Sequence, residues 1–431
     1  MTELTTFTDV ACTRCACVCD DLSLAVRGNR IVEATGACHL ARDWYLRQNT
    51  LDAPAAVHDG NVCTLDAATA TAADWLRTAR YPLIYGLSGS STDGQRAATA
   101  LADRLRATID TTASEGHAPS ILALQESGES TCSLGEIRHR ADLVVFWGAD
   151  PEQTHPRHLE RYSLFPEGMF LPRGRADRTM VVIDHASSIN QTAAHADVVL
   201  DMPEGGDFAA LWTLRLLLKG EEPAPGSDTG LPLADLRDLV ERMKSCRCGV
   251  ILFGYGAARQ RMGHRVVEAI LRLVIDLNAF TRFHARRMRV VGDVAGADNV
   301  LCWQTGFPFA VNLSRGYPRY SPGEFSAAET LTRGEPDAAL IIGSDRVDHF
   351  PSAALEHLRK IPTILLDAPF GNPPWTPNLR ITTATYGVHL PGTAYRMDEV
   401  PIPLRASLST HFPDDATVLQ AIHRSLFPNQ P

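Results

Sequence analysis

Cysteines are concentrated at the amino terminus of this chain. The stretch "CTRCACVC" (12–19) holds four of them, and Cys38 follows, so that five of the ten cysteines lie in the first 38 residues. The spacing Cys12-x2-Cys15-x3-Cys19-x18-Cys38 supplies four thiolates from a tight loop and one returning segment, which suits a 4Fe–4S cubane. Tetrahedral zinc would use the same four ligands, and an empty site is the third alternative. Cys17 is out of phase and is not predicted as a ligand.

Composition limits the classes of function. The 431 residues are 45% hydrophobic and 21% charged, as expected for a globular protein of two or three domains. A net charge of −9 argues against nucleic acid or an anionic membrane as the main partner. No apolar run approaches the roughly 20 residues of a membrane span, and "MTELTTFTDVAC" does not resemble a signal peptide. We therefore expect a cytoplasmic protein, in which clustered thiols are metal ligands or redox groups rather than disulfides.

Strand and helix patterns alternate after about residue 65. Before that point, "LSLAVRGNRIVEA" has the alternation and the "GN" turn of a β-hairpin. Beyond it, continuous apolar strands such as "YPLIYG", "ADLVVFWG", "TMVVID", "GVILFG" and "AALIIG" are separated by helical segments. This alternation predicts an α/β fold with doubly wound parallel sheets, whose ligands would sit at the carboxyl ends of the strands. "GYGAARQ" at one strand end could cradle a phosphate, although a simple tight turn explains it equally well.

Several longer segments resemble a known family. The cysteine spacing, the hairpin and "YPLIYG" together resemble the amino-terminal part of molybdopterin oxidoreductases. The run "ADLVVFWGADPEQTHPRHLERYS", with "CWQTGFPFAVNLSRGYPRYSPGE" and "GTAYRMDEVPIPL", is similar to the B subunit of formylmethanofuran dehydrogenase. The resemblance covers nearly the whole chain. It implies a cysteine-rich iron–sulfur-type β module at 1–65 and two interleaved α/β domains, one formed by 66–140 with 330–431 and a Rossmann-like one at 141–329.

The resemblance also implies a chemistry, from which this chain departs at one position. Metal-using members hold tungsten or molybdenum between two pterin dinucleotides, and a cysteine in a segment T-A-S-V-C-H-G-P ligates the metal. The corresponding stretch here is "TASEGHAP" (112–119), which places Gly116 at the ligand position and Glu115 before it, and keeps His117. Arg289 stands near the family's active-site arginine. The resemblance thus implies a degenerate site at Gly116, His117 and Arg289, without a pterin-bound metal.

Two other cofactor-loop motifs have changed. The family's D-P-R after a strand is "DHA" (184–186) in this chain, so an arginine that could meet a phosphate is missing. The family's S-D-P-x-x-H-F is "SDRVDHF" (344–350). Like Gly116, both changes indicate that the cofactor-binding loops no longer follow the family's pattern.

These departures are typical of a related assembly, the bacterial formyltransferase/hydrolase complex. That complex moves a formyl group from tetrahydromethanopterin to a methanofuran-type carrier and hydrolyses it to formate. The resemblance therefore implies a structural B subunit in one-carbon metabolism, with the A, C and D subunits as partners. The alternatives are an active tungsten or molybdenum B subunit of formylmethanofuran dehydrogenase and an electron-transfer protein that uses the cluster alone.

Two clusters of basic residues fit no motif. "HPRH" (155–158) lacks an adjacent third metal ligand and is predicted to serve packing or contact with other subunits. "FHARRMR" (283–289) could face pterin phosphates or the acidic surface of a partner, and the sequence does not separate these two alternatives.

Overall fold

The computed structural model describes residues 3–49, 52–185, 190–290 and 292–428. The chain divides into two compact units. Unit one comprises Met1–Glu115 with Val291–Pro431, and unit two comprises Gly116–Val290. Within the described ranges no helix has both the length and the apolar character needed to cross a membrane.

In the described part of the chain, nineteen strands are distributed over four sheets. In chain order they are β1 (Leu4–Val10), β2 (Leu22–Arg27), β3 (Arg30–Thr35), β4 (Ala56–His58), β5 (Asn61–Cys63), β6 (Pro82–Gly86), β7 (Thr108–Thr111), β8 (Leu143–Trp147), β9 (Thr179–His185), β10 (Val198–Met202), β11 (Cys248–Phe253), β12 (Arg282–Arg287), β13 (Val311–Asn312), β14 (Arg319–Tyr320), β15 (Ala338–Ile342), β16 (Thr363–Asp367), β17 (Leu379–Thr382), β18 (Gly392–Tyr395) and β19 (Pro401–Leu404).

The strands are connected by α-helices and a few shorter helical turns. The α-helices are α1 (His39–Arg47), α2 (Leu65–Thr78), α3 (Thr92–Leu105), α4 (Ser114–Ser127), α5 (Leu134–Arg140), α6 (Pro151–Thr154), α7 (Asp207–Leu218), α8 (Leu233–Ser245), α9 (Tyr255–Ala258), α10 (Gly263–Leu277), α11 (Val294–Thr305), α12 (Ala327–Thr332), α13 (Ser352–Leu358) and α14 (Asp415–Leu426).

Unit two is built on a five-stranded, fully parallel sheet in the order β10-β9-β8-β11-β12. Every residue of β8 and β11 is buried, because helices cover both faces of a parallel sheet. Trp147, Ile183, Phe253 and Phe283 contribute to its core. The strand order reverses between β8 and β11, so the carboxyl ends of these two strands mark the switch point where such folds bind ligands. This arrangement confirms the α/β prediction.

Unit one contains a nine-stranded mixed sheet in the order β14-β13-β7-β6-β15-β16-β17-β4-β5. Its centre, from β7 to β17, is parallel, and antiparallel strands close both edges. A three-stranded antiparallel sheet, β1-β2-β3, lies at the amino terminus and includes the predicted hairpin, which turns at Gly28 and Asn29. The α/β architecture and the hairpin therefore agree with the sequence, whereas no contact in the structure tests the iron–sulfur character of this module.

The compact units do not coincide with the domain boundaries that the sequence predicts at 140 and 329. Residues 116–140 lie in unit two, and residues 291–329 lie in unit one. Strand pairing explains the second difference, because β13 pairs antiparallel with β7 and thereby places 291–329 with the large sheet. A two-residue strand such as β13 leaves almost no periodicity in the sequence, so this pairing escapes detection.

Asp293 caps α11 in the interior of unit one. One of its carboxyl oxygens accepts hydrogen bonds from the N–H of Gly296 at 3.0 Å and of Tyr395 at 2.7 Å. The side-chain amide of Gln95 donates to the other oxygen at 3.4 Å. Burial nevertheless raises the pKa of Asp293 to about 8, and the nearby charge of Glu399 contributes to the shift. The carboxyl group is therefore protonated in the folded protein at neutral pH.

This protonation makes stability depend on pH. The folded pKa of about 8 lies above the unfolded value of roughly 3.9, so the folded state binds more protons between these values and loses stability as pH rises through them. Asp293→Asn has no such titration. We expect the wild-type free energy of unfolding, relative to this variant, to fall by at least about 1.4 kcal/mol, the equivalent of one pKa unit, between pH 5 and pH 8.

Urea unfolding of both proteins at pH 5, 7 and 9 measures this difference. Asp103→Asn, at an exposed position on α3, is the control and should show no comparable trend. A wild-type-minus-variant difference that stays constant from pH 5 to pH 9 would contradict the prediction.

Candidate functional site

The five amino-terminal cysteines come from two local structures of unit one. Cys12, Cys15, Cys17 and Cys19 lie in the loop between β1 and β2 and are buried, and half-buried Cys38 precedes the first turn of α1. The loop closes on itself, because the N–H of Cys12 donates to the carbonyl of Cys19 at 2.8 Å. It is also held from outside by the N–H of Met397, which donates to the carbonyl of Ala16 at 2.8 Å.

The four predicted ligands lie within electrostatic range of one another. Burial raises the pKa of Cys12 well above its ordinary value, and negative charge on Cys15, Cys19 and Cys38 raises it further. The backbone N–H of Arg14 points at the Cys12 sulfur at 3.4 Å and opposes this shift. A hydrogen bond from Cys17 lowers the pKa of Cys15, so Cys17 supports a predicted ligand without being one of the four. The raised pKa keeps Cys12 protonated in the chain as described, and a bound metal centre would be needed to hold it as a thiolate.

Zinc and a 4Fe–4S cluster place different demands on these four thiols. Among the described residues, no three His, Cys, Asp or Glu side chains converge closely enough to hold a single metal ion. Zinc draws its sulfur ligands to about 2.3 Å from one point, whereas a cubane holds its four thiolates at separate corners. Cys12, Cys15, Cys19 and Cys38 therefore stay the predicted ligands, and the 4Fe–4S, zinc and empty alternatives are tested below.

Gly116 lies near the start of unit two, in the first turn of α4, and faces the aromatic ring of Tyr255 from α9. A Cβ atom at residue 116 would fall inside the Tyr255 ring, against its Cε1 and Cζ atoms. The position of the family's metal ligand thus has neither a donor atom nor space for one. The residues present do not fit a pterin-bound tungsten or molybdenum held by a protein cysteine at residue 116.

Close backbone packing at the switch point between β8 and β11 determines the position of Tyr255. The N–H of Gly256 donates to the carbonyl of Gly148 at 2.9 Å, and a Cβ at Gly256 would lie 2.7 Å from the Gly148 Cα. Gly148 itself has φ +56°, a conformation that favours glycine. Because the Gly254 N–H is bonded to Trp147 and the Gly256 N–H to Gly148, these amides are already engaged within the fold. These contacts favour the tight-turn alternative for "GYGAARQ".

Tyr255 packs against Gly116 and was not predicted from the sequence as part of this site. Its ring lies 5.2 Å from the imidazole of His117 and 5.0 Å from the guanidinium of Arg259. Only the pair of glycines around it in "GYG" hints at a close backbone approach, and the same pattern is equally typical of a phosphate-binding turn.

His117 and Arg289, the other two residues of the predicted degenerate site, are both buried. His117 stacks beside Tyr255, so Gly116 and His117 share one environment with that ring. Arg289 is placed through its backbone, because its carbonyl accepts a hydrogen bond from Nε2 of His155. Burial lowers the pKa of His155 to about 4, so the ring is neutral, with its proton on Nε2. Its Nδ1 lies 2.9 Å from the Thr154 hydroxyl, which donates to the Asp150 carbonyl.

"HPRH" therefore serves packing, as predicted. Like His155, His158 is completely buried, and its Nδ1 lies 3.0 Å from the Ser163 hydroxyl. "FHARRMR" is not an exposed basic patch, because its arginines have partners inside unit two. Arg287 pairs with Glu129 at 3.1 Å, and Arg286 donates to Thr131 at 3.2 Å.

Two departures from the family pattern meet in unit one. Glu115, which replaces the family's valine, forms an ion pair with Arg346, which replaces the proline of S-D-P, at 3.9 Å. Their side chains are 9% and 11% exposed, so each charge lacks full hydration and is offset by the other. Arg346 has φ +72°, which proline cannot adopt. In the "DHA" motif, Asp184 accepts a hydrogen bond from Asn190 at 2.7 Å, and Ala186 lies outside the described residues.

Comparison with known proteins identifies relatives over nearly the full length. No protein-family model matches the chain. The B subunit of tungsten-containing formylmethanofuran dehydrogenase 2 from Methanocaldococcus jannaschii is 39% identical over 410 residues, 92% of each chain. The same component from Methanococcus maripaludis is 36% identical over 417 residues, 93% of each chain.

The formyltransferase/hydrolase complex also contains a relative. Its B subunit from Methylorubrum extorquens is 28% identical over 288 residues, 66% of this chain and 73% of that one. A chain in the crystal structure of the formyltransferase/hydrolase complex FhcABCD from the same organism, in complex with methylofuran, matches with a TM-score of 0.70. That match has 25% identity and covers 87% of this chain and 99% of the other. The full-length identity to the methanogen proteins confirms the resemblance found in the sequence, and this chain belongs to the family of formylmethanofuran dehydrogenase B subunits.

Proposed function

We propose that this chain is the structural B subunit of a formyltransferase/hydrolase complex and has lost its pterin-bound metal. It would assemble with the A, C and D subunits in tetrahydromethanopterin- and methanofuran-dependent oxidation of formaldehyde to formate. Transfer and hydrolysis of the formyl group would take place on those other subunits, and this chain would contribute scaffold. A cytoplasmic location stays part of this proposal.

The observation that carries the proposal is the occupied space at Gly116. A metal ligand could be missing at an otherwise open site, where water or a sulfido group would complete the metal. Here the Tyr255 ring takes the volume itself, between His117 and Arg259. Filling of this volume supports loss of the whole centre, since a closely packed ring leaves no open ligand position.

The Glu115–Arg346 pair supports the same conclusion independently. A lone carboxylate beside anionic pterin dithiolenes would be unfavourable because like charges repel. Glu115 instead has a cationic partner in unit one, and that partner arose at a second motif position. Two motif positions have therefore changed in a mutually compensating way, as expected where the earlier ligand no longer constrains them.

The four cysteines predicted to bind a cluster are all present in this chain. Cys12, Cys15, Cys19 and Cys38 would hold a 4Fe–4S cluster, with the Arg14 N–H directed at the Cys12 sulfur and Cys17 bonded to Cys15. Such a cluster supplies one-electron transfer when bound. In a chain without a pterin-bound metal, the four thiolates would serve mainly to fix the β1–β2 loop against α1.

An active tungsten-containing protein is the second candidate. The observation that favours it is sequence identity, which is 39% to the tungsten-containing methanogen relative and 28% to the relative from the formyltransferase/hydrolase complex. Retention of four cysteines also suits a chain that still relays electrons. The two candidates differ in metal content, which can be measured directly.

Metal analysis of the complex decides between the two candidates. We expect the complex, purified anaerobically from cells supplied with tungstate and molybdate, to contain about four iron atoms per copy of this chain, as one cubane requires. Tungsten, molybdenum and extractable pterin should be absent, and formate should not reduce a viologen dye. A tungsten-containing dehydrogenase treated in parallel is the positive control. Stoichiometric tungsten or molybdenum, together with formate oxidation, would overturn the proposal.

A cysteine reintroduced at residue 116 tests the packing argument. Gly116→Cys should lower the melting temperature by several degrees, because the new side chain collides with Tyr255. In a Tyr255→Ala background, Gly116→Cys should lower the melting temperature by less than it does in the wild-type chain, because the colliding ring is gone. Gly392→Cys is the matched control, since a Cβ there meets no atom within 4 Å. Equal effects of Gly116→Cys in both backgrounds would contradict the packing of Tyr255 against Gly116.

Single cysteine variants test the ligand set. We expect Cys12→Ala and Cys38→Ala to lose iron and acid-labile sulfide, because each removes one corner ligand. Cys17→Ala, a buried cysteine of the same loop, should retain both. Equimolar zinc without sulfide would indicate the zinc alternative, and equal iron loss in Cys17→Ala would refute the assignment of the four ligands.

A further inference from the structure

A cavity lies at the edge of the unit-two sheet opposite the switch point. It has a volume of about 350 Å³ and is lined by Arg140, Phe170, Arg247, Cys248 and Arg282. We refer to these five residues as the arginine pocket. Cys248 and Arg282 are the first residues of β11 and β12, and Arg140 is the last residue of α5 before β8. The pocket is therefore at the amino-terminal ends of the strands and belongs to no site described above.

Among the described residues, the three arginines of the pocket have one carboxylate, Asp142, at ion-pair distance, and Glu136 lies farther off within electrostatic range of Cys248. Arg247 pairs with Asp142 at 3.2 Å, and the same carboxylate accepts the backbone N–H groups of Arg247 and Cys248. Within the described chain, no ion pair joins Arg140 or Arg282 to a carboxylate. Three guanidinium groups around one cavity repel one another, and an anion between them would relieve this repulsion. The chain as a whole carries a net charge of −9, so this local positive charge is opposite in sign.

Apolar side chains form the rim of the pocket. Phe170 is 45% exposed and lies under the Arg140 guanidinium at 4.3 Å, and its neighbour Met169 is 75% exposed. Their loop is fixed to the end of α5, because the N–H of Phe170 donates to the His139 carbonyl and the N–H of Met169 to His139 Nδ1, each at 3.1 Å. Arginine, phenylalanine and methionine are enriched at the centres of protein interfaces.

The floor of the pocket is neutral. Burial raises the pKa of Cys248 to about 11, with a further contribution from Asp142, so its thiol stays protonated at neutral pH. A protonated thiol behaves as a small apolar side chain and a poor nucleophile. The pocket thus combines cationic walls with an apolar floor and rim.

We propose that the arginine pocket, with Met169 at its rim, docks a segment of another subunit of the complex that carries carboxylate groups next to an apolar side chain. A small free anion would use the arginines but not the exposed Met169 and Phe170, whereas such a peptide segment would use both. The inference rests on the assembly with other subunits proposed above and is independent of the loss of the metal.

Binding of this chain to the other subunits tests the surface. The A, C and D subunits are produced together without this chain, and the dissociation constant for the added chain is measured at 50 and 300 mM KCl. We expect Arg282→Glu to weaken binding at least tenfold and Arg140→Glu/Arg282→Glu more strongly. Arg282→Lys should retain most of the affinity, since it keeps the charge. The wild-type chain should lose affinity with salt more steeply than the double variant, because salt screens the charge pairs.

Two further variants distinguish a specific loss of binding from a folding defect. Arg405→Glu, at an exposed arginine of unit one, is the control and should bind like the wild-type chain. Met169→Ser changes a side chain that is 75% exposed, so it should fold normally and still weaken binding severalfold. Melting temperatures of all variants are measured alongside.

Each alternative result has a distinct meaning. Unchanged affinity of the double variant and of Met169→Ser, with a wild-type chain that binds, would overturn this inference alone. A wild-type chain that does not bind the other subunits would overturn the proposed assembly, and this inference with it. Self-association of the wild-type chain that Arg282→Glu abolishes would assign the pocket to a second copy. Citrate binding to the wild-type chain that the double variant abolishes, while the double variant and Met169→Ser keep their affinity for the other subunits, would assign the pocket to a free polycarboxylate.

Discussion

Direct backbone contact between two loops governs the geometry of unit two. The loop after β8 and the loop after β11 meet at Gly148 and Gly256, where a side chain on either residue would strike the opposite backbone. Parallel strands that diverge at a switch point usually leave a crevice there. In this chain the glycines allow the two loops to close on each other, and the turn that results carries Tyr255 toward Gly116. The packing around Gly116 thus depends on these backbone contacts as well as on the residue type at position 116.

The fold was largely predictable, and the reasons are local. Five continuous apolar strands separated by helices indicated the parallel sheets, and the "GN" turn fixed the hairpin between β2 and β3. The boundaries of the compact units were not predictable in the same way, because they depend on short antiparallel pairs such as β13 with β7. The missing donor at Gly116 was visible in the sequence, whereas the ring that fills its place comes from a segment about 140 residues away, whose proximity no local pattern encodes.

The basic residues also show that local sequence patterns do not reveal contacts between distant segments. "FHARRMR" was the densest positive run in the sequence, but Arg286 and Arg287 are engaged by Thr131 and Glu129 inside unit two. The arginine pocket draws its charges from three segments, none of which stands out alone. The density of positive charge along the sequence was therefore a poor guide to where a positively charged surface lies. Neighbouring residues of one strand point to opposite faces of the sheet, whereas residues from separate strands and helices meet at one edge.

The pairing of Glu115 with Arg346 has a consequence for how this protein can change. Replacing Glu115 alone with the family's valine would leave Arg346 buried without its counter-charge. Replacing Arg346 with the family's proline would also require a different backbone conformation at residue 346. A cysteine placed at residue 116 would in turn meet the Tyr255 ring. Residues 115 and 346, and likewise residues 116 and 255, are therefore expected to vary together among related chains, because a change at one alters what its neighbour can tolerate.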